Sequence, residues 1–340
     1  MTCFKPRIAI STGDCAGIGP ELVLRALNSP DLKATADLIV YGSRSILKRV
    51  STACGIPFPS DIHVVKSLQE APASLNESLL VNIDSKALQS VKPGVVQAAC
   101  GRAAAIWIKA AARDVIEQRA DALVTAPINK ESFNKAGISF SGHTEMLASL
   151  CGVTDPCMAF FTPGLIIALA TIHSAIADVP AALNRDRLVA IARLIQRACL
   201  DQGIKQPKLG VLALNPHAGE GGLFGDEELR IIQPAIDDIS RAGINVSGPL
   251  VPDTAFRWLY SRMQRAPFDA YIAMYHDQAL IPFKIAAFDK GVNVTLGLPI
   301  IRTSPDHGTA FNLAWQGKAS PNSFFAAIKL ALKMCRRGNA

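Results

Sequence analysis

Alternation of short apolar runs with helical patterns is the feature that most limits how this 340-residue chain can fold. The runs are too short for buried helices, and they end in turns that carry Gly, Pro or His. Because helical patterns follow most of them, the sequence predicts an α/β protein with a largely parallel sheet. The predicted strands cover residues 7–11, 37–41, 62–65, 79–83, 122–125, 157–162, 165–171, 208–214, 244–250 and 270–275.

Apolar residues at helical spacing lie between these strands. They predict helices over residues 97–119, 185–202, 226–241 and 254–264. The two apolar runs on either side of Pro163-Gly164 instead predict an antiparallel hairpin in the middle of the chain. No repeat, low-complexity linker or break in composition marks a domain boundary.

Composition narrows the classes of function. The chain is 49% hydrophobic, has no run of eighteen apolar residues and lacks an export signal at its start, so we expect a globular cytoplasmic protein without a membrane span. Its eight cysteines are scattered without CxxC pairs, which is typical of reduced thiols. The net charge of +7 comes from dispersed basic residues and only 6% of residues are aromatic, which favours a small anionic ligand over nucleic acid.

Residues 270–312 concentrate ionisable groups in apolar surroundings. The predicted strand at 270–275 ends in His276-Asp277, and Lys284, Asn293 and Arg302 follow at strand edges. Charged groups are costly to bury unless they are paired, so this pattern indicates a site that receives an anion or a metal. In the alternative interpretation, His276-Asp277 is a satisfied core pair, and the two cations extend to solvent.

Three histidines, His173, His217 and His276, each come just after a predicted strand. Neighbouring parallel strands bring their ends together, so three neutral imidazoles there would bind zinc or another divalent ion and leave a position open for substrate. Asp277 would then orient His276 or act as a further ligand. The cations of residues 270–312 would bind a phosphate or carboxylate, and the metal would polarise an oxygen of the same substrate. This combination suits Lewis-acid chemistry on a small phosphorylated hydroxy compound. The alternative is that the three histidines are dispersed on the surface.

Two turns open helices directly after predicted strands. The turn at residues 12–21 contains Gly13 and lets backbone approach a ligand, but its spacing matches neither the dinucleotide motif nor the P-loop, and a tight packing turn is the alternative. The turn at residues 125–130 ends in Lys130, which is either a catalytic or anion-binding group or an exposed lysine in the first turn of a helix.

Two further segments carry candidate binding groups. Residues 142–145 (GHTE) precede a helical pattern, which places His143 or Thr144 near the free N–H groups of a helix start, where an anion is favoured. Residues 304–312 form a Gly- and Pro-bearing loop in which Asp306 and Asn312 are candidates to hold the adenosine part of a nucleotide. The alternative is an ordinary Asp-capped turn.

Together these motifs resemble one known family over nearly the whole chain, the 4-hydroxythreonine-4-phosphate dehydrogenases of vitamin B6 biosynthesis. The resemblance implies a two-domain fold similar to the isocitrate and isopropylmalate dehydrogenases. It places a nucleotide domain at residues 1–135 plus 285–340 and a metal and dimer domain at residues 136–284. The motifs that carry it are TGDCAGIGPE (12–21), TAPINK (125–130), GHTE (142–145), LNPHAGE (214–220), GPLVPDT (248–254) and the stretch from YHDQ (275–278) to Gly308.

The resemblance also implies the site and its ligands. It implies NAD or NADP, a divalent metal ion (Zn, Mg or Co), a small phosphorylated substrate, and a homodimer with its active site at the subunit interface. The metal ligands would be His173, His217 and His276, and the substrate-binding residues His143, Thr144, Lys284, Asn293 and Arg302. We predict Lys130 and Asp277 as catalytic residues, and Gly13, Asp306 and Asn312 as cofactor-binding residues.

Members of the family oxidise the secondary hydroxyl of 4-phosphooxy-L-threonine with NAD(P)+. The resulting 3-oxo acid loses carbon dioxide, a step that a metal assists, and yields 3-amino-2-oxopropyl phosphate on the route to pyridoxal 5'-phosphate. A sister group with the same motifs acts on 4-phospho-D-threonate or erythronate in sugar-acid catabolism. A non-catalytic phosphometabolite-binding protein and a phosphate acyltransferase are alternatives from other classes.

One residue departs from the family pattern. Cys15 stands where the family usually has proline, inside the glycine-rich turn. We expect the turn to remain workable but less rigid, so this departure should affect stability more than activity.

Overall fold

The computed structural model describes residues 5–72, 78–260 and 266–338, with side chains up to residue 335. The chain forms two compact units: the first comprises Met1–Pro156 and Leu298–Ala340, and the second comprises Cys157–Gly297. The strands within the described ranges are β1 (Arg7–Ser11), β2 (Asp37–Gly42), β3 (His63–Val65), β4 (Leu79–Asn82), β5 (Ala122–Thr125), β6 (Cys157–Thr162), β7 (Leu165–Leu169), β8 (Leu209–Leu212), β9 (Val246–Leu250), β10 (Ala270–Ala273), β11 (Val292–Leu296) and β12 (Ile301–Pro305).

Helices alternate with these strands along the chain, as the sequence predicts. In the described ranges they are α1 (Gly19–Leu27), α2 (Pro30–Thr35), α3 (Arg44–Cys54), α4 (Ala98–Ile116), α5 (Lys130–Lys135), α6 (His143–Cys151), α7 (Val179–Ala182), α8 (Arg185–Asp201), α9 (Gln233–Arg241), α10 (Pro252–Ala255), α11 (His276–Ala287) and α12 (Asn322–Gly338).

The first unit is built on parallel strands in the order β3-β4-β2-β1-β5-β12. Its central strands are continuous apolar runs because helices pack against them: α4 contacts β1, β2 and β5, and α12 contacts β12 and β5. Trp107 of α4 and Phe324 of α12 are fully buried in this core. Burial of side chains of this size contributes about 1.5–3 kcal/mol each.

The second unit has the strand order β11-β6-β7-β10-β8-β9. Strands β6 and β7 form the predicted antiparallel hairpin, in which Gly164 takes a φ of 82° at the turn. Strands β7, β10, β8 and β9 are parallel neighbours, whereas β11 is antiparallel to β6. The core includes Phe160, Tyr271 and Phe283, and the last of these comes from α11, which packs against β7 and β10. The prediction of an α/β protein with a largely parallel sheet is therefore confirmed.

Three local predictions need correction. The helix predicted at 254–264 is replaced by α10 and a 3-10 turn at Arg257–Tyr260, and residues 261–264 lie outside the described ranges. The helix predicted at 226–241 begins as a π-helical turn, Glu228–Ile232, before α9. Lys284 lies within α11 rather than at a strand edge, because the helix continues through Pro282 to Ala287.

The boundaries between the two compact units lie at residues 156/157 and 297/298. The resemblance instead places the domain boundaries at 135/136 and 284/285. The difference has a structural basis at both places. Helix α6 packs against α4 of the first unit, and β11 pairs with β6 of the second. The domain division drawn from the resemblance stays a prediction.

Candidate active site

The three predicted metal ligands follow three neighbouring parallel strands of the second unit. His173 comes after β7, His276 after β10 and His217 after β8, and β10 pairs with both of the others. The carboxyl ends of these strands therefore meet at one edge of the sheet, as the sequence predicts. His173 and His217 are exposed there, and His276 is partly exposed.

The structure brings two of the three histidines together. The ring centroids of His173 and His276 are 5.9 Å apart, with an angle of 37° between the ring planes. Two imidazoles that share an ion at about 2.1 Å from each nitrogen have centroids roughly 5–6 Å apart, so this pair suits a common metal. The ring of His217 lies instead near Phe224, at 6.3 Å between centroids. Across the described residues, no group of three or more His, Cys, Asp or Glu side chains is arranged to hold an ion.

Asp277 contacts the imidazole that precedes it. Its Oδ1 lies 2.7 Å from Nδ1 of His276, at the first turn of α11. A carboxylate in this position accepts the Nδ1 proton and leaves Nε2 with a lone pair for an ion. The orienting role of Asp277 stays a prediction, for which this contact supplies the geometry. The donor chemistry of the His173–His276 pair suits a divalent metal, whereas the His217 ring lies apart from this pair.

The turn that carries His217 has an unusual backbone. Five successive residues, 217–221, have left-handed φ values between 45° and 80°, and three of them are not glycine. Each such residue costs on the order of 1 kcal/mol, and the conformation persists only where the surroundings fix it. Strand periodicity and composition contain no signal for such a turn, so the sequence did not predict it.

The first unit contains a buried cation next to a neutral histidine. Arg302 of β12 is only 2% exposed, and its guanidinium donates a hydrogen bond of 2.8 Å to Oγ1 of Thr125 at the end of β5. Burial lowers the pKa of Arg302 to about 10, while nearby Glu145 raises it. Thr125, which was not singled out in the sequence analysis as a binding residue, is thus part of this cluster.

His143 begins α6, as predicted, and lies close enough to Arg302 for the guanidinium charge to affect its pKa. Burial first, and then the Arg302 charge, hold the pKa of His143 well below its usual value. Its Nε2 is buried and has no hydrogen-bond partner among the described residues. Thr144, the second residue of the same helix, is also buried. A buried guanidinium, an unsatisfied ring nitrogen and a helix start together form a good receptor for a phosphate group.

The other two predicted substrate residues lie in the second unit. Lys284 is half-buried on α11 with its Nζ 5.7 Å from the centre of the Phe288 ring, a cation–π contact across one helical turn. Asn293 is half-buried on β11, opposite Phe160 of β6. Both side chains are polar groups on elements that are otherwise largely apolar.

The glycine-rich turn is explained first by packing. A Cβ on Gly13 would lie 2.3 Å from the carbonyl oxygen of Pro127, and one on Gly17 would lie 2.8 Å from that of Thr309. The backbone N–H of Asp14 donates to Pro127, and that of Ile18 donates to Thr309. The turn is therefore fixed between two neighbouring segments of its own unit, and a role of Gly13 in cofactor binding stays a prediction.

The remaining predicted residues lie in two places. Asp306 follows β12, and its N–H donates to Oγ of Ser323 at 3.0 Å. Asn312 lies in a short 3-10 turn, where its carbonyl accepts from the Gln316 side chain at 2.8 Å. Lys130 is exposed at the first position of α5. The nucleotide-binding roles of Asp306 and Asn312 and the catalytic role of Lys130 stay predictions.

Comparisons with known proteins decide the family. Residues 34–331 match the family model described as "Pyridoxal phosphate biosynthetic protein PdxA". The chain is 42% identical over 337 residues, 98% of this chain and 99% of the relative, to a 4-hydroxythreonine-4-phosphate dehydrogenase of Trichlorobacter lovleyi.

This chain belongs to the PdxA family. It is therefore an oxidoreductase, and the resemblance predicted from its motifs is confirmed. A crystal structure of a 4-hydroxythreonine-4-phosphate dehydrogenase from Klebsiella pneumoniae superposes with a TM-score of 0.85 at 37% identity and covers 98% of this chain and 99% of that chain. A D-threonate 4-phosphate dehydrogenase of Pectobacterium atrosepticum is 38% identical over 96% of this chain and 98% of the relative. The dehydrogenase family implies a nicotinamide cofactor and a divalent metal.

Two further features bear on this PdxA chain. Cys15 is fully buried, and contact with the Cys100 thiol, together with burial, raises the pKa of Cys15 well above its usual value. The turn has thus accommodated a thiol that packs against a second thiol.

None of the helices in the described part of the chain is both long and apolar enough to cross a membrane.

Proposed function

We propose that this chain oxidises the secondary hydroxyl of 4-phosphooxy-L-threonine with NAD+ or NADP+, in the synthesis of pyridoxal 5'-phosphate. The bound nicotinamide would supply the hydride acceptor, and a base on the protein would take the hydroxyl proton. The 3-oxo acid would then lose carbon dioxide and take up one proton at the same carbon to give 3-amino-2-oxopropyl phosphate. The observation that carries the proposal is the pair of facing imidazoles, His173 and His276, at the carboxyl ends of adjacent strands in a PdxA chain.

The phosphate of the substrate is assigned to the first unit. Arg302 is a planar guanidinium that bonds Thr125, and its burial strengthens the attraction to an anion. His143 is held neutral, so its unsatisfied Nε2 supplies a hydrogen bond rather than a second full charge. Thr144 adds a hydroxyl at the helix start. Lys284 and Asn293 are the further residues that we propose to bind substrate.

The divalent ion is assigned to His173, His217 and His276. When bound, a metal of this kind polarises the hydroxyl and carbonyl oxygens of a substrate and stabilises the negative charge that forms during decarboxylation. His276 is prepared for this role, because Asp277 holds its Nδ1 and directs Nε2 away from the carboxylate. Zn, Mg and Co all remain candidates, although three imidazoles favour the transition metals over Mg.

Proton removal is assigned to Lys130 or Asp277. Lys130 is exposed at the first position of α5. Asp277 is engaged with His276, and a base in that position would act through the imidazole. Separate Lys130→Met and Asp277→Asn variants distinguish the two, because only loss of the true base should change the pH profile of kcat.

A homodimer with its active site at the subunit interface is part of the proposal. Helix α11, which begins at His276, presents a large apolar face to solvent: Ile281, Ile285 and Phe288 are 62%, 76% and 79% exposed. Their spacing of four and three residues places them on one side of the helix. Apolar surface of this size favours cover by a second chain, and that chain would then lie beside the helix that starts at a proposed ligand. We also place the protein in the cytoplasm, in line with the seven free cysteines of the described ranges.

The second candidate function is oxidation of 4-phospho-D-threonate or erythronate, since a 38% identical relative is named D-threonate 4-phosphate dehydrogenase. The test is NADH or NADPH formation with each phosphorylated substrate, in the presence of Zn²⁺, Mg²⁺ or Co²⁺. We expect the higher kcat/KM with the amino acid. A higher value with the sugar acid would replace the first candidate by the second. No turnover of either, despite binding of both, would favour a phosphometabolite-binding protein.

A further inference from the structure

Two buried side chains hold the segment from which the His217 turn starts. Residues 213–215 come directly after β8, and Gln278 of α11 reaches them from the neighbouring strand end. The side-chain oxygen of Gln278 accepts the Met274 N–H at 2.7 Å, and its nitrogen donates to the Ala213 carbonyl at 2.7 Å. One amide thus links the ends of β10 and β8, in a place where the side chain is only 9% exposed.

Glu228 holds the next two residues. It is 3% exposed, and its Oε1 accepts the backbone N–H groups of Leu214 at 2.7 Å and Asn215 at 2.8 Å. Its Oε2 accepts from Nδ2 of Asn215 at 2.9 Å. Burial on its own raises the pKa of Glu228, but these hydrogen bonds outweigh it and leave the pKa below its usual value. Three donors directed at one buried carboxylate form a strong, charge-assisted anchor.

The rest of the turn is packed around the same anchor. A Cβ on Gly219 would lie 2.8 Å from Oε2 of Glu228, and one on Gly225 would lie 2.4 Å from Nδ2 of Asn215. Both glycines have positive φ, and His217 itself has a φ of 53°. The left-handed residues 217–221 thus lie against Glu228 on one side. A hydrogen bond from the Phe224 N–H to the Gly219 carbonyl, at 3.2 Å, closes the turn.

We propose that Glu228 and Gln278 are positioning residues that fix the His217 turn at the edge of the sheet and so set the metal affinity of the site. The inference rests on the proposed function in one respect, namely that His217 is a metal ligand. It goes beyond it because neither side chain would touch the ion or the substrate. A left-handed turn that lost this anchor would relax toward ordinary backbone conformations, and its imidazole would no longer be held at this edge of the sheet.

The key variant is Glu228→Gln, which keeps the shape of the side chain but replaces one acceptor oxygen with a donor that faces other donors. Gln278→Glu is the second variant, since a carboxylate cannot donate to the Ala213 carbonyl. The control is Asp269→Asn: Asp269 accepts the Lys208 N–H at 2.9 Å before β8, at the opposite end of the same strand. All three changes exchange amide and carboxylate groups of equal size.

Two readouts are needed on the full-length protein. The first is Co²⁺ affinity, followed by the visible absorption of the bound ion, which we expect to weaken about 10- to 100-fold in Glu228→Gln and Gln278→Glu but not in Asp269→Asn. The second is amide hydrogen exchange in the metal-free protein, which we expect to accelerate at Leu214 and Asn215 in Glu228→Gln.

The possible outcomes distinguish the anchoring of the turn from its effect on metal affinity. Unchanged exchange at Leu214 and Asn215 in Glu228→Gln would overturn the anchor, whatever the metal does. Faster exchange with wild-type Co²⁺ affinity would overturn the effect on the metal. If His217→Ala itself binds Co²⁺ as the wild type does, the proposed ligand set fails instead. Faster exchange together with weaker Co²⁺ binding supports the inference.

Discussion

The anion cluster of the first unit and the histidine edge of the second are built in opposite ways. Arg302 is a strand residue within the sheet, buried and hydrogen-bonded to the neighbouring strand, and the ring nitrogen of His143 beside it is buried as well. His173, His217 and His276 instead lie beyond the ends of their strands, where the first two are exposed and His276 is partly exposed. The anion cluster is part of the packed core, whereas the histidines lie on the segments that come directly after core strands.

This difference concerns how each site is held in shape. Packing and the hydrogen bond to Thr125 fix the guanidinium without any ligand, at the expense of a buried charge. The imidazoles require no buried charge, but their arrangement depends on turns and on the contacts that anchor those turns. We therefore expect stability and function to fall together in the first unit and to separate in the second.

The largest expected effect is loss of the third imidazole. His217→Ala should reduce activity to background and greatly weaken metal binding, yet leave the melting temperature of the metal-free protein within about 2 °C, because an exposed side chain on a preformed sheet edge contributes little to folding. Metal titration and thermal unfolding check this. Full activity in a metal-stripped preparation of the variant would show that His217 is not a ligand.

The matching change in the first unit is Arg302→Ala. Loss of charge-assisted hydrogen bonds to phosphate should raise KM for the phosphorylated substrate about 10- to 100-fold, since such bonds contribute about 1.5–3 kcal/mol. The same change should lower the free energy of unfolding by about 1–3 kcal/mol, because it leaves Thr125 unpaired beside a cavity.

Arg302→Lys is the control for that change, because it keeps the charge but loses the planar set of donors. We expect it to lie between wild type and Arg302→Ala in KM. If KM is unchanged in both variants, with substrate binding at rapid equilibrium, the phosphate lies elsewhere. If stability is unchanged while KM rises, the contrast between the two units is wrong.

Subunit complementation tests whether the exposed edge becomes complete only in a dimer. An inactive His276→Ala chain is mixed with an inactive His217→Ala chain under conditions of subunit exchange. If those two ligands come from different subunits, each mixed dimer has one intact and one doubly damaged site. Activity should then return to roughly a quarter of wild type, because about half of the dimers are mixed. No recovery despite proven exchange would place both ligands on one chain.

The sequence predicted what local patterns determine. The strands that precede His173, His217 and His276 are continuous apolar runs with polar ends, so both the strands and their adjacency at one sheet edge could be inferred. The start of α6 at His143 was equally visible, from the Gly-His-Thr-Glu run before an apolar helix.

The remaining features depend on contacts between distant parts of the chain. The partner of Arg302, Thr125, is 177 residues away in sequence, and no local pattern connects the two. The left-handed turn at His217 is set by Glu228, whose role becomes apparent only once the chain is folded. Lys284 was predicted at a strand edge, whereas it lies within α11, which continues through Pro282.

The titration of His143 gives a pH test that should affect only the first unit. Because burial and the Arg302 charge hold its pKa below the usual value near 6.5, the unfolded chain binds more protons than the folded chain just below pH 6.5. Stability should therefore decline as pH falls below 6.5 toward the lower folded-state pKa, and His143→Asn should reduce that decline. Denaturant unfolding between pH 5 and 7.5 measures both. An identical pH dependence in the two proteins would contradict the assignment.

The smallest expected effect is at the residue that departs from the family pattern. The Gly17 N–H donates to the Asp14 carbonyl at 3.1 Å, and the Asp14 side chain accepts from Ala16, so residues 14–17 form a β-turn with Cys15 at its second position. Proline is favoured at that position and restricts the unfolded chain, which on its own would stabilise Cys15→Pro by about 0.4–1 kcal/mol. Loss of the contact with Cys100 offsets part of this gain, so we expect a net change below about 1 kcal/mol, with kcat and KM unaltered. Cys15→Ala, which removes the thiol without fixing the backbone, is the control and should be less stable than Cys15→Pro. A proline variant that loses activity while it stays folded would mean that this turn has to move during the reaction, and the packed first unit would then resemble the second more closely than its contacts indicate.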